Sequence, residues 1–305
     1  MIIPTDAVQR IRAAFPQLVI EKTALLAGGQ YNAVVRVNDD LIFRIPRFAE
    51  GAEKLEREAA IFDGIRPYLS LSIPEALYRH FAAPDEGSSF AGYRLLQGEP
   101  LSHEAVADLD AVAQASIAAQ LAAFLRELRA IPYHEALGDT PASAGDTQMA
   151  SWRASWSELA ARLHSAVFPH IPSAAQEYLA TLFSRFLGED ANFAFVPTLI
   201  HGDFGTGNIL FQQATATITG IIDFDSARLG DPAYDLATLL TYDEQFTRHV
   251  VRSYDPTSAE LSRAHFYRAT FAAQEALYGA EHDDPDAFAR GIAPYLIAQN
   301  PDRHA

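Results

Sequence analysis

The hydrophobic and polar positions of the first hundred residues change period several times. Apolar residues recur at helical spacing between residues 6 and 15, whereas the following runs alternate or are rich in β-branched residues, as strands are. The predicted strands cover Val19–Ala27, Ala33–Asn38, Leu41–Ile45, Leu77–Phe81 and Phe90–Leu96. A charged amphipathic helix is predicted over Glu50–Tyr68. The pattern predicts a five-stranded sheet that begins as an antiparallel meander, with one long helix inserted after the third strand.

The pattern changes after residue 97. Residues 104–190 are alanine-rich and helical in period, with an interruption near residues 131–148, and the chain from residue 233 onwards is helical again. Short strands are predicted at Val196–Ile200, Asn208–Phe211 and Thr217–Ile222. We therefore expect an α+β chain with a small antiparallel-sheet lobe over residues 1–97 and a larger, mainly helical lobe over residues 98–305. The hinge between them is expected at about residues 94–101.

Composition excludes several classes of site. The 305 residues contain no cysteine, which excludes disulfides, thiolate nucleophiles and cysteine metal sites. Thirty-nine acidic against 23 basic residues give a formal charge of −16, which argues against a nucleic-acid partner. The most apolar stretch, Ala111–Leu125, is too short to cross a membrane and reads as a buried helix. The N-terminus lacks the pattern of a signal peptide, so a cytoplasmic protein without a membrane partner is expected.

The segment from residue 199 to residue 235 carries the clearest chemical pattern. Asp203 lies in a glycine-rich loop between two short apolar runs, Asn208 follows five residues later, and Asp223 ends the next run. A hairpin would bring Asn208 and Asp223 side by side, offering the oxygen ligands that Mg²⁺ prefers. Asp203 could then orient or deprotonate a hydroxyl, as phosphoryl transfer requires. The loop with Asp203 and Asn208, or the apolar run that ends at Asp223, would also occur in ordinary proteins if taken alone. The prediction therefore depends on finding both, in this order and at this spacing.

The spacing of His201, Asp203 and Asn208, followed by Asp223, resembles the catalytic and metal loops of the protein-kinase-like superfamily. Gly202 in place of arginine, and Asp225 in place of glycine, point to its antibiotic-kinase branch. Nearly the whole chain resembles the aminoglycoside phosphotransferases, most of all the 2''-phosphotransferases. The segments that carry this likeness include Leu199–His201, Gly220–Phe224, Asp231–Pro232 and Leu277–Gly279. The resemblance implies a two-lobed protein-kinase-like fold, Asp203 as catalytic base, and Asn208 and Asp223 as Mg²⁺ ligands.

The same resemblance implies a set of nucleotide-binding residues in the first lobe. They are Gly29, Gln30 and Asn32 in a flap, Arg44 with its helix partner Glu58, and Tyr93, Arg94 and Leu96 at the hinge. The flap does not fit the P-loop pattern, and a glycine pair between strands is also common in plain hairpins. Arg44 stands where the related kinases place a lysine, and Glu56 is close enough to compete with Glu58 as its partner.

By the same resemblance, Tyr93 falls at the position that controls how deeply the nucleobase enters its pocket. A large ring there would disfavour the deepest placement of adenine and suit a shifted guanine, so GTP is expected to serve at least as well as ATP. The alternative is that Tyr93 is simply an aromatic residue of a strand packed into the core.

The acceptor is expected to be an aminoglycoside, a polycation whose amines need carboxylates nearby. Beside Asp203, the candidates are Asp243, Glu244 and Glu275, although acidic residues in so acidic a chain are also common surface charges. The expected activity is Mg²⁺-dependent transfer of the γ-phosphate of GTP or ATP to an aminoglycoside hydroxyl, giving resistance. Two alternatives stay open: a kinase of another hydroxyl compound, such as a macrolide or a metabolite, and an inactive nucleotide-binding module.

Overall fold

The computed structural model describes residues 4–26, 32–81, 89–133 and 145–297. The chain forms two compact units. The first comprises Met1–Thr140, Thr198–Gly230 and Tyr242–Tyr254, and the second comprises Pro141–Pro197, Asp231–Thr241 and Asp255–Ala305. The structure mixes an antiparallel sheet with many helices, as the sequence predicts, while the boundary at residue 97 stays a prediction.

The helices and strands of the described residues are numbered here in chain order. The helices are α1 (Pro4–Ala14), α2 (Ala49–Ile65), α3 (His103–Ala107), α4 (Ala111–Ala130), α5 (Gly145–Ala166), α6 (Ser173–Gly188), α7 (Ala233–Leu239), α8 (Glu244–Tyr254), α9 (Ser258–Glu281) and α10 (Pro285–Ile297). The strands are β1 (Thr23–Leu26), β2 (Asn32–Val37), β3 (Leu41–Pro46), β4 (Ala76–His80), β5 (Phe90–Arg94), β6 (Glu99–Pro100), β7 (Thr198–Ile200), β8 (Ile209–Gln212), β9 (Thr217–Ile221) and β10 (Arg228–Gly230).

The predicted five-stranded sheet forms in the first unit with the order β1-β2-β3-β5-β4, and each neighbouring pair is antiparallel. Helix α2 follows β3, as the period of the sequence indicates. Strand β1 is shorter than predicted. It lies at the edge of the sheet and all four of its side chains are exposed. Because it buries no side chain, the strand extends only as far as its backbone pairs with β2.

Alternating side chains of the central strands form the core on one face of this sheet. Val35, Phe43 and Phe90 are almost fully buried there, together with Ile11 of α1. Phe15 joins them, with its ring edge against the ring of Phe90 at a centroid distance of 6.0 Å. Burying each large apolar side chain contributes about 1.5–3 kcal/mol, so α1 and the sheet stabilise each other.

The remainder of the first unit supplies two small sheets and a long buried helix. Strand β8 pairs with β9 in a hairpin and with β6 on its other side, and β7 pairs with β10. Helix α4 begins where the Asp110 side chain accepts a hydrogen bond from the Ala113 N–H. Ile117, Leu121 and Phe124 recur at helical spacing on its buried face. The sequence predicted this helix, but it gave no signal for β6 or β10, which are only two and three residues long.

The chain enters β6 through a glycine that no other residue could replace easily. Gly98 has φ +137°, a conformation that side chains rarely adopt, and a Cβ there would lie 2.3 Å from the Thr219 Oγ1. The close approach brings the predicted hinge against strand β9.

The second unit is helical, and an aromatic cluster lies at its centre. The Trp156 ring of α5 stacks on Tyr267 at 5.1 Å and meets the edges of Phe186 and Phe266. The Asp231 carboxylate, also buried, accepts hydrogen bonds from the Arg263 guanidinium, the Tyr267 hydroxyl and the Ala233 N–H. Within the described residues, no helix is both long and apolar enough to cross a membrane.

Candidate active site

The loop between β7 and β8 holds the predicted base Asp203 and the predicted Mg²⁺ ligand Asn208. The Asn208 amide nitrogen donates to the Asp203 carbonyl oxygen at 2.8 Å and to the Asp203 Oδ2 at 2.9 Å. These bonds fix the Asp203 carboxylate in one orientation and leave the Asn208 amide oxygen as the acceptor of that side chain. The five-residue spacing seen in the sequence is therefore the span of one closed loop.

The β8–β9 hairpin brings Asn208 next to Asp223. Its register pairs Ile209 with Ile221, and the Ile222 N–H donates to the Asn208 carbonyl oxygen at 2.9 Å. Asp223 follows directly, with a left-handed φ of 64°. Burial raises the pKa of the Asp223 carboxyl, with Arg44 opposing that effect and the nearby Asp225 and Asp203 charges adding to it. Three of the predicted residues thus meet at one end of the hairpin.

His201 ties this loop to the hairpin from inside. The ring is fully buried, with Nε2 at 3.1 Å from the Ile222 carbonyl oxygen and Nδ1 at 3.3 Å from the Asp203 backbone nitrogen. A carbonyl only accepts and a backbone N–H only donates, so the ring is neutral with its proton on Nε2. Burial lowers the pKa of His201 to about 4, in keeping with this neutral form.

Gly202 explains one departure from the protein-kinase pattern. Its φ is +80°, and a Cβ there would lie 2.4 Å from the Ser226 carbonyl oxygen and 2.3 Å from the Arg228 Nη1. Both the backbone conformation and the space therefore require glycine. The arginine that protein kinases carry at this position would not fit.

Asp223 also lies next to an ion-pair network centred on Arg44. The Arg44 Nη1 donates to the buried Glu58 Oε2 at 2.5 Å, and the Phe224 N–H donates to the Glu58 Oε1 at 3.0 Å. The second Arg44 nitrogen, Nη2, donates to the Asp225 Oδ2 at 3.1 Å and lies 3.6 Å from the Asp223 Oδ1. Burial raises the pKa of Glu58 to about 7, and the charge of Arg44 opposes the shift. Glu58, and not Glu56, is the partner of Arg44.

A cavity of about 340 Å³ opens beside this network. Most of its lining residues are apolar, and Arg44, Asp223 and Asp225 form a charged cluster in its wall. The residues that line it are Asn32, Val34, Ile42, Arg44, Phe62, Pro74, Tyr93, Arg94, Leu95, Leu96, Leu210, Ile222, Asp223 and Asp225. The structure thus brings together most of the predicted nucleotide-binding residues, and the predicted Gly29 and Gln30 lie outside the described residues.

Asp225 is the residue that sequence reasoning left out of the site. Carboxylate oxygens of Glu58, Asp223 and Asp225 lie within 4.8 Å of one another. The Asp223 Oδ1 and the Asp225 Oδ1 are buried without a hydrogen-bond partner, and a single guanidinium faces three carboxylates. Buried oxygens with excess negative charge suit a hard divalent cation such as Mg²⁺. The sequence signal that could have indicated Asp225 is its position two residues after Asp223, just beyond the end of β9.

The three further acids predicted to bind the acceptor make contacts of their own. The Asp243 carboxylate accepts from the Phe246 N–H at the start of α8, and Glu244 pairs with Arg248 one turn later. Glu275 pairs with Arg290 in the second unit. Their role toward an acceptor stays a prediction.

Sequence comparison gives the family. The model of the phosphotransferase enzyme family matches residues 22–290. The chain belongs to that family. Viomycin phosphotransferase of Streptomyces vinaceus is 26% identical to this phosphotransferase over 278 residues, which are 88% of this chain and 90% of that protein.

Solved structures agree with this result. The GDP complex of aminoglycoside 2'-phosphotransferase-IIIa is 26% identical, with a TM-score of 0.85 over 97% of this chain and 99% of that one. The GDP and kanamycin complex of APH(2'')-IIIa matches with the same identity and coverage and a TM-score of 0.84. Macrolide 2'-phosphotransferase type I, at 18% identity and a TM-score of 0.71 over 97% and 98%, shares the fold. The predicted resemblance, the kinase-like fold and the small-molecule kinase class of this phosphotransferase are confirmed.

Proposed function

We propose that this phosphotransferase moves the γ-phosphate of GTP or ATP to a hydroxyl of an aminoglycoside antibiotic, with Mg²⁺, and so confers resistance. The observation that carries the proposal is the juxtaposition of Asp203, Asn208 and Asp223 at the end of one hairpin. These groups supply a carboxylate for the acceptor hydroxyl and oxygen ligands for a cation, which are the parts phosphoryl transfer needs.

The nucleotide would lie in the 340 Å³ cavity with its base against the apolar lining residues. Arg94, Leu95 and Leu96 line the cavity near the predicted hinge, and their backbone groups would bind the edge of the base. The Leu95 N–H is already bound to the Asp40 carbonyl oxygen at 2.7 Å, so the base would use the groups on either side of it. Arg44 in the charged cluster would bind phosphate oxygens. The GDP complexes of the 26% identical relatives support a guanine nucleotide as the ligand.

Asn208 and Asp223 would hold Mg²⁺, and the Asp225 carboxylate lies beside that of Asp223. A bound Mg²⁺ would neutralise charge that develops on the phosphates during transfer. The left-handed backbone at Asp223 and the hydrogen bond between Ile222 and Asn208 fix these two side chains relative to one another.

Asp203 would act as the base. Asn208 engages its Oδ2, so the other oxygen, Oδ1, is the one available to the acceptor. As the acceptor oxygen forms its bond to the γ-phosphorus, its proton passes to the Asp203 carboxylate. The bond between the γ-phosphorus and the bridging oxygen breaks, and the nucleoside diphosphate keeps that electron pair. His201 holds the Asp203 backbone in place through its Nδ1.

The kanamycin complex of a 26% identical relative supports an aminoglycoside acceptor. A second acceptor class deserves the same assay, because the chain matches viomycin phosphotransferase at equal identity. A macrolide is the third acceptor class to assay, and only the shared fold of macrolide 2'-phosphotransferase type I suggests it.

The test is a panel of kanamycin, gentamicin, viomycin and erythromycin, each with GTP and with ATP, in which phosphate transfer is followed with and without Mg²⁺. We expect transfer to at least one aminoglycoside, abolished by EDTA and by Asp223→Asn, a variant that tolerates the left-handed backbone. Transfer to viomycin or erythromycin alone would replace the aminoglycoside assignment. Loss of transfer with every acceptor, together with intact nucleotide binding, would favour an inactive module.

A further inference from the structure

Arg44 faces two carboxylates that compete for the same nitrogen. Its Nη1 is engaged by the buried Glu58, while Nη2 lies 3.1 Å from the Asp225 Oδ2 and 3.6 Å from the Asp223 Oδ1. The arginine side chain is mostly buried, with 17% of it exposed. Small rotations about the Glu58 contact would therefore move Nη2 from one carboxylate to the other.

The Asp223 Oδ1 makes no hydrogen bond although this guanidinium is close. A buried carboxylate oxygen normally accepts from the nearest donor, because a buried acceptor without a partner destabilises the fold. The donor it lacks is the one that Asp225 holds. The contact between Arg44 and Asp225 thus keeps an oxygen of Asp223 available.

From these distances we infer that Asp225 is a positioning residue, which holds Arg44 off Asp223 and leaves the Asp223 carboxylate free to take a divalent cation. The inference rests on the proposed Mg²⁺-nucleotide site. Without Asp225, Nη2 closes on the Asp223 Oδ1 in a charge-assisted hydrogen bond, and the cation must displace it. The arrangement depends on an arginine at position 44. A lysine has a single side-chain nitrogen, which Glu58 would bind, so no second nitrogen would remain for Asp225 to hold away from Asp223.

A double-mutant cycle tests this dependence. The measurement is the Mg²⁺ concentration that gives half-maximal binding of mant-GDP, a fluorescent diphosphate, with mant-ADP used in parallel. It is made for wild type, Asp225→Ala, Arg44→Lys and the double variant. In the arginine background, Asp225→Ala is expected to raise the Mg²⁺ midpoint by about tenfold, within the coupling usual for contacting residues. In the lysine background the same change is expected to raise it less than twofold.

Equal increases in both backgrounds would overturn the inference, because a direct cation ligand is lost whatever residue stands at position 44. An unchanged or lower midpoint in the arginine background would overturn it as well. Binding of mant-guanosine, which has no phosphate, checks that each variant keeps its base pocket. Asp225→Asn, which preserves the volume of the side chain, replaces Asp225→Ala if that variant fails to fold.

Asp63→Ala is the matched control, since Asp63 pairs with Arg79 in the same unit and does not line the cavity. Its midpoint should equal that of wild type. Failure of the proposed function has a different signature, because wild type itself would then bind mant-GDP and mant-ADP without any dependence on Mg²⁺.

Discussion

The backbone N–H of Asp203 donates to the Nδ1 of the buried His201, which requires that imidazole to stay neutral. Burial lowers the pKa of His201 to about 4, whereas in the unfolded chain it is expected near 6.5. Between these values the unfolded chain binds a proton that the folded chain does not, so folding stability falls as the pH drops from about 6.5 to about 4.

Replacement of this histidine should therefore flatten the pH dependence of stability. Between pH 7 and pH 5, wild type should lose about 2 kcal/mol more unfolding free energy than His201→Gln, since each pKa unit is worth about 1.4 kcal/mol. Denaturant unfolding at the two pH values measures the difference. The control His80→Gln removes an exposed histidine of the same unit and should keep the wild-type slope. Parallel slopes for wild type and His201→Gln would contradict a neutral buried ring.

Asp203→Asn should remove turnover and spare nucleotide binding. The amide cannot take the acceptor proton, and a general base contributes roughly 10²–10⁴-fold to the rate. Asp203 does not line the cavity, so the Kd for GTP or ATP should change less than twofold. Steady-state transfer and mant-nucleotide binding measure the two effects. Asp39→Asn, an exposed acid paired with Lys22, should behave like wild type. A kcat near the wild-type value would exclude the base role of Asp203.

The sequence predicted those parts of the fold and site whose signal is local. The five strands, helix α2 and the β8–β9 hairpin follow from periodicity and turns, and the loop from residue 201 to residue 208 follows from its spacing. The contact of Arg44 with Asp225 joins residues 181 positions apart, and no period or spacing reports it. Strand β6 is only two residues long and contains Pro100, so it exists only because β8 provides an edge.

A buried charge network in the second unit gives a separate stability prediction. Arg263 binds the Asp231 carboxylate through Nε at 2.5 Å and Nη2 at 3.0 Å, and both side chains are almost completely buried. Asp231→Asn leaves the guanidinium buried without its counter-charge, which should cost about 3–5 kcal/mol of unfolding free energy. Asp190→Asn is the matched control, since Asp190 pairs with Arg153 and has 86% of its side chain exposed. That change should cost less than about 1 kcal/mol. Equal costs in denaturant titrations would mean that burial does not set the strength of the network.

Tyr93 is the cavity residue that we expect to set the preference between GTP and ATP. Its ring meets the edge of Phe62 at 6.0 Å, and it lines the cavity on strand β5. The hydroxyl is buried without a hydrogen-bond partner, and burial raises its pKa, so it stays a neutral donor. The O6 of a guanine shifted toward the hinge would accept from it. In the proposed nucleotide position the ring would also fill the space behind the base, so adenine would enter less deeply.

We therefore expect kcat/KM for GTP at least equal to that for ATP in wild type. Tyr93→Phe removes the hydroxyl and keeps the ring, and it should lower the preference for GTP by about 2–10-fold, the value of one hydrogen bond. Tyr93→Ala also opens the space behind the base, so it should shift the ratio further toward ATP. Steady-state kinetics with both nucleotides on all three proteins measure the ratios. If wild type clearly prefers ATP, or if neither variant changes the ratio, then Tyr93 is a core aromatic and does not select the base.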